Sequence, residues 1–512
     1  MGNVMRWLAV TVVLLSVQRA AYGLQEEKIG DRGQGIGDRE NKGQTSNLKG
    51  ADSDVLLAVK DNEAVLDNGI IRATIDTTGA TVKSVKYKGL EMMGVVYFSS
   101  GGGRGYERPG HCVFSVFRQT PEMVDISCKR VYSPERGDKR AWDIDVHYVL
   151  RKGMSGLYSY VILDHKPEYP DAGEAEWRTV YKIPGLFERI YVDELRQWEM
   201  PSGADWRAAE RTSIGEAVKL TTGPRAGKYE CKYTYAAEYW TVGAYGHASN
   251  VNKVGAWIIP GVCDWLNDGP MKADLTAAAG IIHLHLNSNH FNGTGFHAKE
   301  GEDWKKIYGP WLIYWNSAET ADGCWSDARR QARVETAAYP YQWMTHELYQ
   351  ANERSSVKGK FVAKDALKPE LSTDGAWVGL ARPEEEAGNW QRQSKWYQYW
   401  TKAGKDGSFV IRGVRPGKYT LYAFTKGAVG EFAKKDVVVD AGKGVDLGDV
   451  TWNVAHPGKK IAWEIGVPDR LPAEFRHGST DWFEPFLYEE FVKEFANPLE
   501  YDVAKKNWGT AL

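Results

Sequence analysis

Residues 278–298 read AAGIIHLHLNSNHFNGTGFHA, and the alternation near their start decides the fold. From Ile281 to Leu286 apolar and polar side chains take turns, as they do in a strand with one buried face. Side chains at i and i+2 of a strand share a face, so His283 and His285 point the same way. Asn287, Ser288 and Asn289 are turn formers, which puts His290 at or just past the strand end. An imidazole there meets solvent or a ligand rather than core. Four of the chain's eleven histidines (283, 285, 290 and 297) lie in this one stretch.

Working outward, residues 55–315 repeat the pattern. Residues 65–76 (VLDNGIIRATID), 81–87 (TVKSVKY), 123–132, 142–150, 157–163 (LYSYVIL) and 254–259 all read as strands, with Gly, Asp and Asn between them. There is no βαβ rhythm, no Gly-rich phosphate loop and no internal repeat, so the fold class is all-β, beginning with a large antiparallel sandwich. Helices are predicted at 326–338 and 342–351, closing a first domain at 55–352. A second unit, 356–453, carries strand signals in VKGKFVA, AWVGLA and at 397–400, 408–411, 418–424 and 445–450. Turn pairs at Asp406-Gly407 and Pro416-Gly417 give it the spacing of a small β-sandwich. A third segment, 458–512, opens with IAWEIGVPDRLPAEF and is short for an independent domain.

Residues 1–23 have the form of a secretory signal peptide: Arg6, an apolar run at 8–17, and Ala21-Tyr22-Gly23 as a small-x-small cleavage site. Residues 24–54 read as a disordered leader. The expectation is a secreted, extracellular protein, periplasmic in a Gram-negative host, with no membrane association. A formal charge of -2 argues against a nucleic-acid partner. The five cysteines lack CxxC spacing, so a zinc ribbon is not expected, and their odd count leaves at least one thiol unpaired within the chain. The 21 Trp and 27 Tyr fit carbohydrate, because flat amphipathic rings stack on the apolar faces of sugars, although β-rich cores use aromatics too.

Several motifs then converge. HYVLRKGMSGLYSY (147–160), NDGPMKADL (267–275), GEDWKKIYGPWLIYWN (301–316), DGSFVIRGVRPGKYTLYA (406–423) and WEIGVPDR (463–470) together resemble rhamnogalacturonan lyases of polysaccharide lyase family four, in the family's order. The resemblance implies a galactose-mutarotase-like β-sandwich, a fibronectin-type-III-like β-sandwich and a carbohydrate-binding jelly roll. The last of these has too few residues here to be complete. The implied activity is that of a rhamnogalacturonan endolyase. It would act as a monomer on the pectic polysaccharide rhamnogalacturonan I, with no required cofactor and at most a structural calcium.

Such enzymes remove the C5 proton of galacturonate, α to the carboxylate, and expel the C4 oxygen. The chemistry needs a neutral base, an acid for the leaving oxygen, and cations that neutralise the carboxylate. By the resemblance, Lys232 in ECKYTY is the base and His290 at the end of NSNH is the acid, a task suited to a near-neutral imidazole. Arg196 in DELRQ, then Arg189, would neutralise the carboxylate. Asn287, Tyr233 and Tyr235 would contribute to binding. His283 and His285 stand where fungal members have tyrosines and would line the subsites. No metal ligand set is assigned, because an H-x-H pair needs a third ligand such as His290, His297 or Asp303. Two alternatives remain at this point: a glycoside hydrolase built on paired carboxylates (Asp264, Asp268, Glu302 and Asp303 are candidates) and a non-catalytic sugar-binding relative.

Overall fold

Two nine-stranded antiparallel sheets carry the first domain. The computed structural model describes residues 53–101, 106–212, 216–290 and 293–456, with parts of 458–475 and 501–508. The predicted signal peptide, nearly all of the leader and most of the third segment lie outside the described residues. The first sheet runs Leu56–Lys60, Glu63–Asp67, Ile71–Asp76, Thr81–Tyr87, Val95–Gly101, Glu176–Lys182, Ile281–Asn287 and Ala277–Ala278, with Leu90–Met93 paired to Thr81–Tyr87. The second runs Gln197–Glu199, Arg189–Tyr191, Tyr245–Ser249, Val254–Ile259, Trp304–Ser317, Gly156–His165, Asp143–Arg151, Met123–Arg130 and Val113–Thr120.

The strand expected at 65–76 is two strands. Asn68 Oδ1 accepts the N–H groups of Ile70 and Ile71, and Gly69 takes a φ of 79°, which together make a hairpin turn in the middle of the apolar pattern. The facing sheets bury Leu66, Val85, Phe98 and Leu284 from one side against Ile126, Val161, Ile258 and Ile313 from the other. Trp311 Nε1 donates across this core to the Tyr181 hydroxyl at 2.7 Å. Trp142, Trp177, Trp257, Trp265, Trp304, Trp311, Trp315 and Trp390 are all fully buried, so much of the aromatic excess serves packing. All five cysteines are buried and unpaired with one another.

The outer face of the second sheet is covered by helix Ala321–Ala338, whose Trp325, Ala328 and Ala332 pack on Tyr191 and Trp257. It begins five residues before the predicted Ser326, because Thr320 Oγ1 caps the N–H of Gly323 at 3.0 Å. The helix predicted at 342–351 does not form; only a 3-10 turn, Glu347–Tyr349, appears. Tyr341, Met344 and Tyr349 all bury against the sheet, and the N–H of Tyr341 donates to the Tyr349 hydroxyl. Those tertiary contacts hold the segment as a strap and override its helix propensity.

The second unit packs a three-stranded sheet (Ser408–Val414, Ser355–Lys364, Val445–Asn453) on a four-stranded one (Tyr399–Lys402, Trp377–Ala381, Gly417–Phe424, Phe432–Val439). Its core includes Val357, Phe361, Leu380, Phe409, Leu421 and Val437. The two sandwiches are joined by buried charge. Asp264 receives Arg354 Nη1 at 2.9 Å, the Tyr339 hydroxyl at 3.0 Å, and Arg415. Lys306 Nζ donates to the carbonyls of Ser394 and Trp396.

Candidate active site

The alternation in residues 281–287 sorts the side chains as expected. Ile282, Leu284 and Leu286 enter the core, which leaves His283, His285 and Asn287 on the outer face of the first sheet. The neighbouring strand Glu176–Lys182 buries Trp177 and Tyr181 and so presents Glu176 and Arg178 on that same face. Arg178 is the register partner of His285, and Val180 of His283. The outer face of these two strands therefore holds two histidines, a glutamate and an arginine side by side.

His285 is the hub. It is 0% exposed, with Nε2 at 3.3 Å from Glu176 Oε1 and Nδ1 at 3.1 Å from Asp274 Oδ1. Its ring lies 5.9 Å from that of His283, nearly parallel, and 5.2 Å from that of His290. Burial would raise the Glu176 carboxyl, but His285, Arg178 and His290 hold it well below the usual carboxylate range. Asp274 is likewise held down against its burial by His285, Lys272 and His290. Burial and the charge of His285 push His283 well below an ordinary histidine, with Arg178 and Lys232 adding to the effect.

His290 sits past the strand end with its side chain 15% exposed. Ser288 Oγ lies 2.9 Å from its Nδ1 and also accepts its backbone N–H, so the turn fixes the ring. Burial, then the charges of His285 and Lys232, push its pKa down to about 4. The near-neutral imidazole expected from sequence is therefore a depressed one, because burial and the charges of His285 and Lys232 outweigh the carboxylates of Asp274 and Glu176.

Lys232 is on a 3-10 turn, Lys232–Tyr235. The turn is tied down from several sides. Cys231 Sγ accepts the N–H of Tyr233, Thr276 Oγ1 donates to the carbonyl of Tyr235, and Arg196 Nη1 donates to the carbonyls of Thr234 and Ala236 at 3.0 and 2.7 Å. The Lys232 side chain emerges 28% exposed, with Nζ donating to Glu216 Oε1 at 3.2 Å. Tyr233 stands between the two predicted catalytic groups, its ring 5.1 Å from Lys232 Nζ and 6.0 Å from the His290 ring.

The other predicted binding residues fare differently. Arg196 is 2% exposed, paired with Asp193 and donating to two carbonyls of the Lys232 turn. Arg189 lies on the second sheet, donating to the Tyr191 hydroxyl and the Gln197 carbonyl. Tyr235 is buried, its hydroxyl donating to Glu230 and accepting from Arg225. Asn287 is buried and donates to the carbonyl of Ala175. His283 is 6% and His285 0% exposed, and both are packed among charged side chains. The cation that sequence reasoning missed is Arg178, its side chain 17% exposed. It pairs with Glu176 at 2.7 Å, donates to Ser99 Oγ at 3.1 Å and lies over the Tyr106 ring. Asp274 was within a quoted motif, but its role depends on a fold contact that no spacing reveals.

The paired-carboxylate candidates are dispersed. Asp264 belongs to the joint between sandwiches, Glu302 pairs with Lys395, and Asp268 accepts the N–H of Thr294. Beside the site, a cavity of about 560 Å³ is lined by Glu174, Ala175, Asn289 and His297 among others. Glu174 is pushed up to about 8 by burial, while Ser100 Oγ and the N–H of Gly101 hold its oxygens.

Comparison with known proteins now adds its own findings. Residues 40–229 match the model of the rhamnogalacturonate lyase family, and residues 373–447 match domain II of polysaccharide lyase family 4. The chain is similar to the rhamnogalacturonate lyase of Dickeya dadantii, 27% identical over 77% of this chain and 63% of that one. It is also similar to the probable rhamnogalacturonate lyase B of Aspergillus flavus, 28% identical over 70% of this chain and 57% of that one. The chain thus spans about three fifths of the length of these relatives. A galactose mutarotase-like protein from Lactobacillus casei covers 50% of this chain at 11% identity with a TM-score of 0.30. The architecture described above stands on the strand pairing itself and on the match to domain II.

Proposed function

We propose, from the premise that the chain belongs with the rhamnogalacturonate lyases of polysaccharide lyase family 4, that it cleaves the rhamnosyl-(1→4)-galacturonate bond of rhamnogalacturonan I by β-elimination. In this reading it is a secreted endolyase, monomeric, that needs no cofactor. The observation that carries the reading is that Lys232 and His290 lie near one another around Tyr233. Each is partly exposed, they share Tyr233 as a neighbour, and the charge of Lys232 is felt by His290.

Lys232 Nζ takes the proton from C5 of the galacturonate. The electron pair moves toward the carboxylate and returns to form the C4–C5 double bond as the C4 oxygen leaves. His290 gives that oxygen its proton. The base acts as a neutral amine, so the contact with Glu216 has to be broken as substrate enters. His290 is depressed in the unliganded protein, and the arriving uronate anion favours its protonated form by direct charge attraction. Arg178, with Ser99 and Tyr106 to hold it, is the cation best placed on this face to steady the carboxylate as charge develops.

A second reading has one observation in its favour. Glu174 is raised to about 8 while Glu176, two residues on, is held low, and carboxyls pushed apart in this way suit glycoside hydrolysis. Against it, both oxygens of Glu174 are engaged by the adjacent strand. The two are separated by incubating the mature protein with de-decorated rhamnogalacturonan and following ultraviolet absorbance. Conjugated unsaturated ends absorb, hydrolytic ends do not, and homogalacturonan is the control. A rise on rhamnogalacturonan alone is expected; new reducing ends without absorbance would replace the lyase by the hydrolase.

A further inference from the structure

From the facing ligand atoms of Glu176, His285 and His290 we infer that this cluster also binds a divalent first-row transition ion, which holds His290 and switches the site off. One ligand atom from each of the three residues lies within 4.8 Å of the others. The Nε2 of His285 and Oε1 of Glu176 are 3.3 Å apart. Zinc bonds of about 2.0–2.1 Å in a tetrahedron set neighbouring ligand atoms about 3.3 Å apart, so this pair is already at ligand spacing.

A second observation concerns the other side of the ring. His285 Nδ1 faces Asp274 Oδ1 at 3.1 Å, and Lys272 Nζ holds the other oxygen of Asp274 at 2.7 Å. A carboxylate set behind a histidine ring is the arrangement that orients metal-binding histidines generally. The pair His283 and His285, which the sequence spacing first suggests, stacks its rings nearly parallel, and His283 is not among the three residues whose ligand atoms face one another.

The ion has one competitor. Arg178 Nη1 already occupies Glu176 Oε1 at 2.7 Å, but Ser99 and Tyr106 would retain the guanidinium if that contact were released. Entry is from the side of His290, the exposed member. A metal takes only the unprotonated imidazole nitrogen and the ionised carboxylate, so binding weakens as pH falls. A metal-ligated imidazole cannot pass to imidazolium, so if His290 is the acid proposed above, the loaded protein loses turnover. Only this last consequence rests on the lyase reading.

The test is calorimetric titration of chelator-treated full-length protein with zinc chloride. One equivalent should bind. His290→Ala and Glu176→Gln should each weaken binding by at least about tenfold, and Asp274→Asn by about 10–100-fold. Arg178→Ala should tighten it, an effect that no purely structural role produces. His297→Ala, in the neighbouring cavity, should leave it unchanged. Because His290 is at the rim, its variant keeps the test valid even where a buried replacement fails to fold. Absence of one-equivalent binding, or binding indifferent to His290→Ala and Arg178→Ala, would overturn the site. Failure of the lyase reading would appear separately, as metal-free protein that forms no unsaturated product.

Discussion

Among the described residues, two buried histidines, His147 and His285, are each set between two carboxylates, and they differ in what lies beyond. His147, on the strand Asp143–Arg151, has Nδ1 at 2.8 Å from Asp125 and Nε2 at 3.4 Å from Asp145. Tyr160 stacks on one face at 4.2 Å, and Phe117 and His346 close the edges. Burial works against its charge, yet the two aspartates push it up to about 9. His285 sits between Glu176 and Asp274 in much the same way, but its next neighbours are a partly exposed histidine and, beyond that, a partly exposed lysine. The same device is sealed in one sheet and opened in the other. A buried histidine–carboxylate set is thus no sign of chemistry by itself; what marks the first sheet is that its set is continued to the surface by groups that can exchange protons.

That contrast can be broken most forcefully at the open end. Lys232→Ala and His290→Ala should each lower kcat on rhamnogalacturonan by about 10²–10⁴-fold while leaving the melting temperature nearly unchanged. Full activity in either variant would remove that residue from the chemistry. The closed end should respond in the opposite sense. His147→Gln should keep kcat and cost roughly 3 kcal/mol of stability below pH 6.5, from a folded pKa near 9 against an unfolded value near 6.5. Since its raised pKa gives stability that is present below about 6.5 and lost through 9, the difference from wild type should shrink over that interval in denaturant titrations. A constant difference would mean that the carboxylates do not charge the ring.

Arg178→Ala should raise KM by about tenfold with a smaller change in kcat, the pattern of a lost carboxylate contact. An unchanged KM would return the search for the cation to other residues. Acid should act at the open end with the opposite sign. His290 is depressed to about 4, so the unfolded chain takes up its proton first and stability falls as pH drops from about 6.5 toward 4. Replacing it by Ala should make unfolding less acid-sensitive in that window, opposite in sign to His147.

The sequence made the strand at 281–287 legible because one face is apolar at period two, and with it the shared face of His283 and His285. It also made the strand-rich first domain and the motif order legible, and the resemblance pointed to Lys232 and His290, which lie near one another around Tyr233. Three things were hidden for physical reasons. Arg196 is spaced like a ligand cation, yet its guanidinium satisfies the carbonyls of a turn, and only the fold reveals which carbonyls lack partners. Arg178 looks like any polar residue on a strand until its register partner is known to be His285. Asp274 reaches the site from a two-residue strand, Ala273–Asp274, too short to carry any pattern. The strap at 342–351 was misread because helical spacing of apolar residues also serves a segment pinned at three points.

The central claim is elimination by Lys232 and His290, and the most direct measurement is mass spectrometry of rhamnogalacturonan fragments formed in oxygen-18 water. Elimination predicts galacturonate ends that carry a double bond and no oxygen-18, absent from the Lys232→Ala and His290→Ala reactions. Fragments that carry oxygen-18 and no double bond would contradict the account.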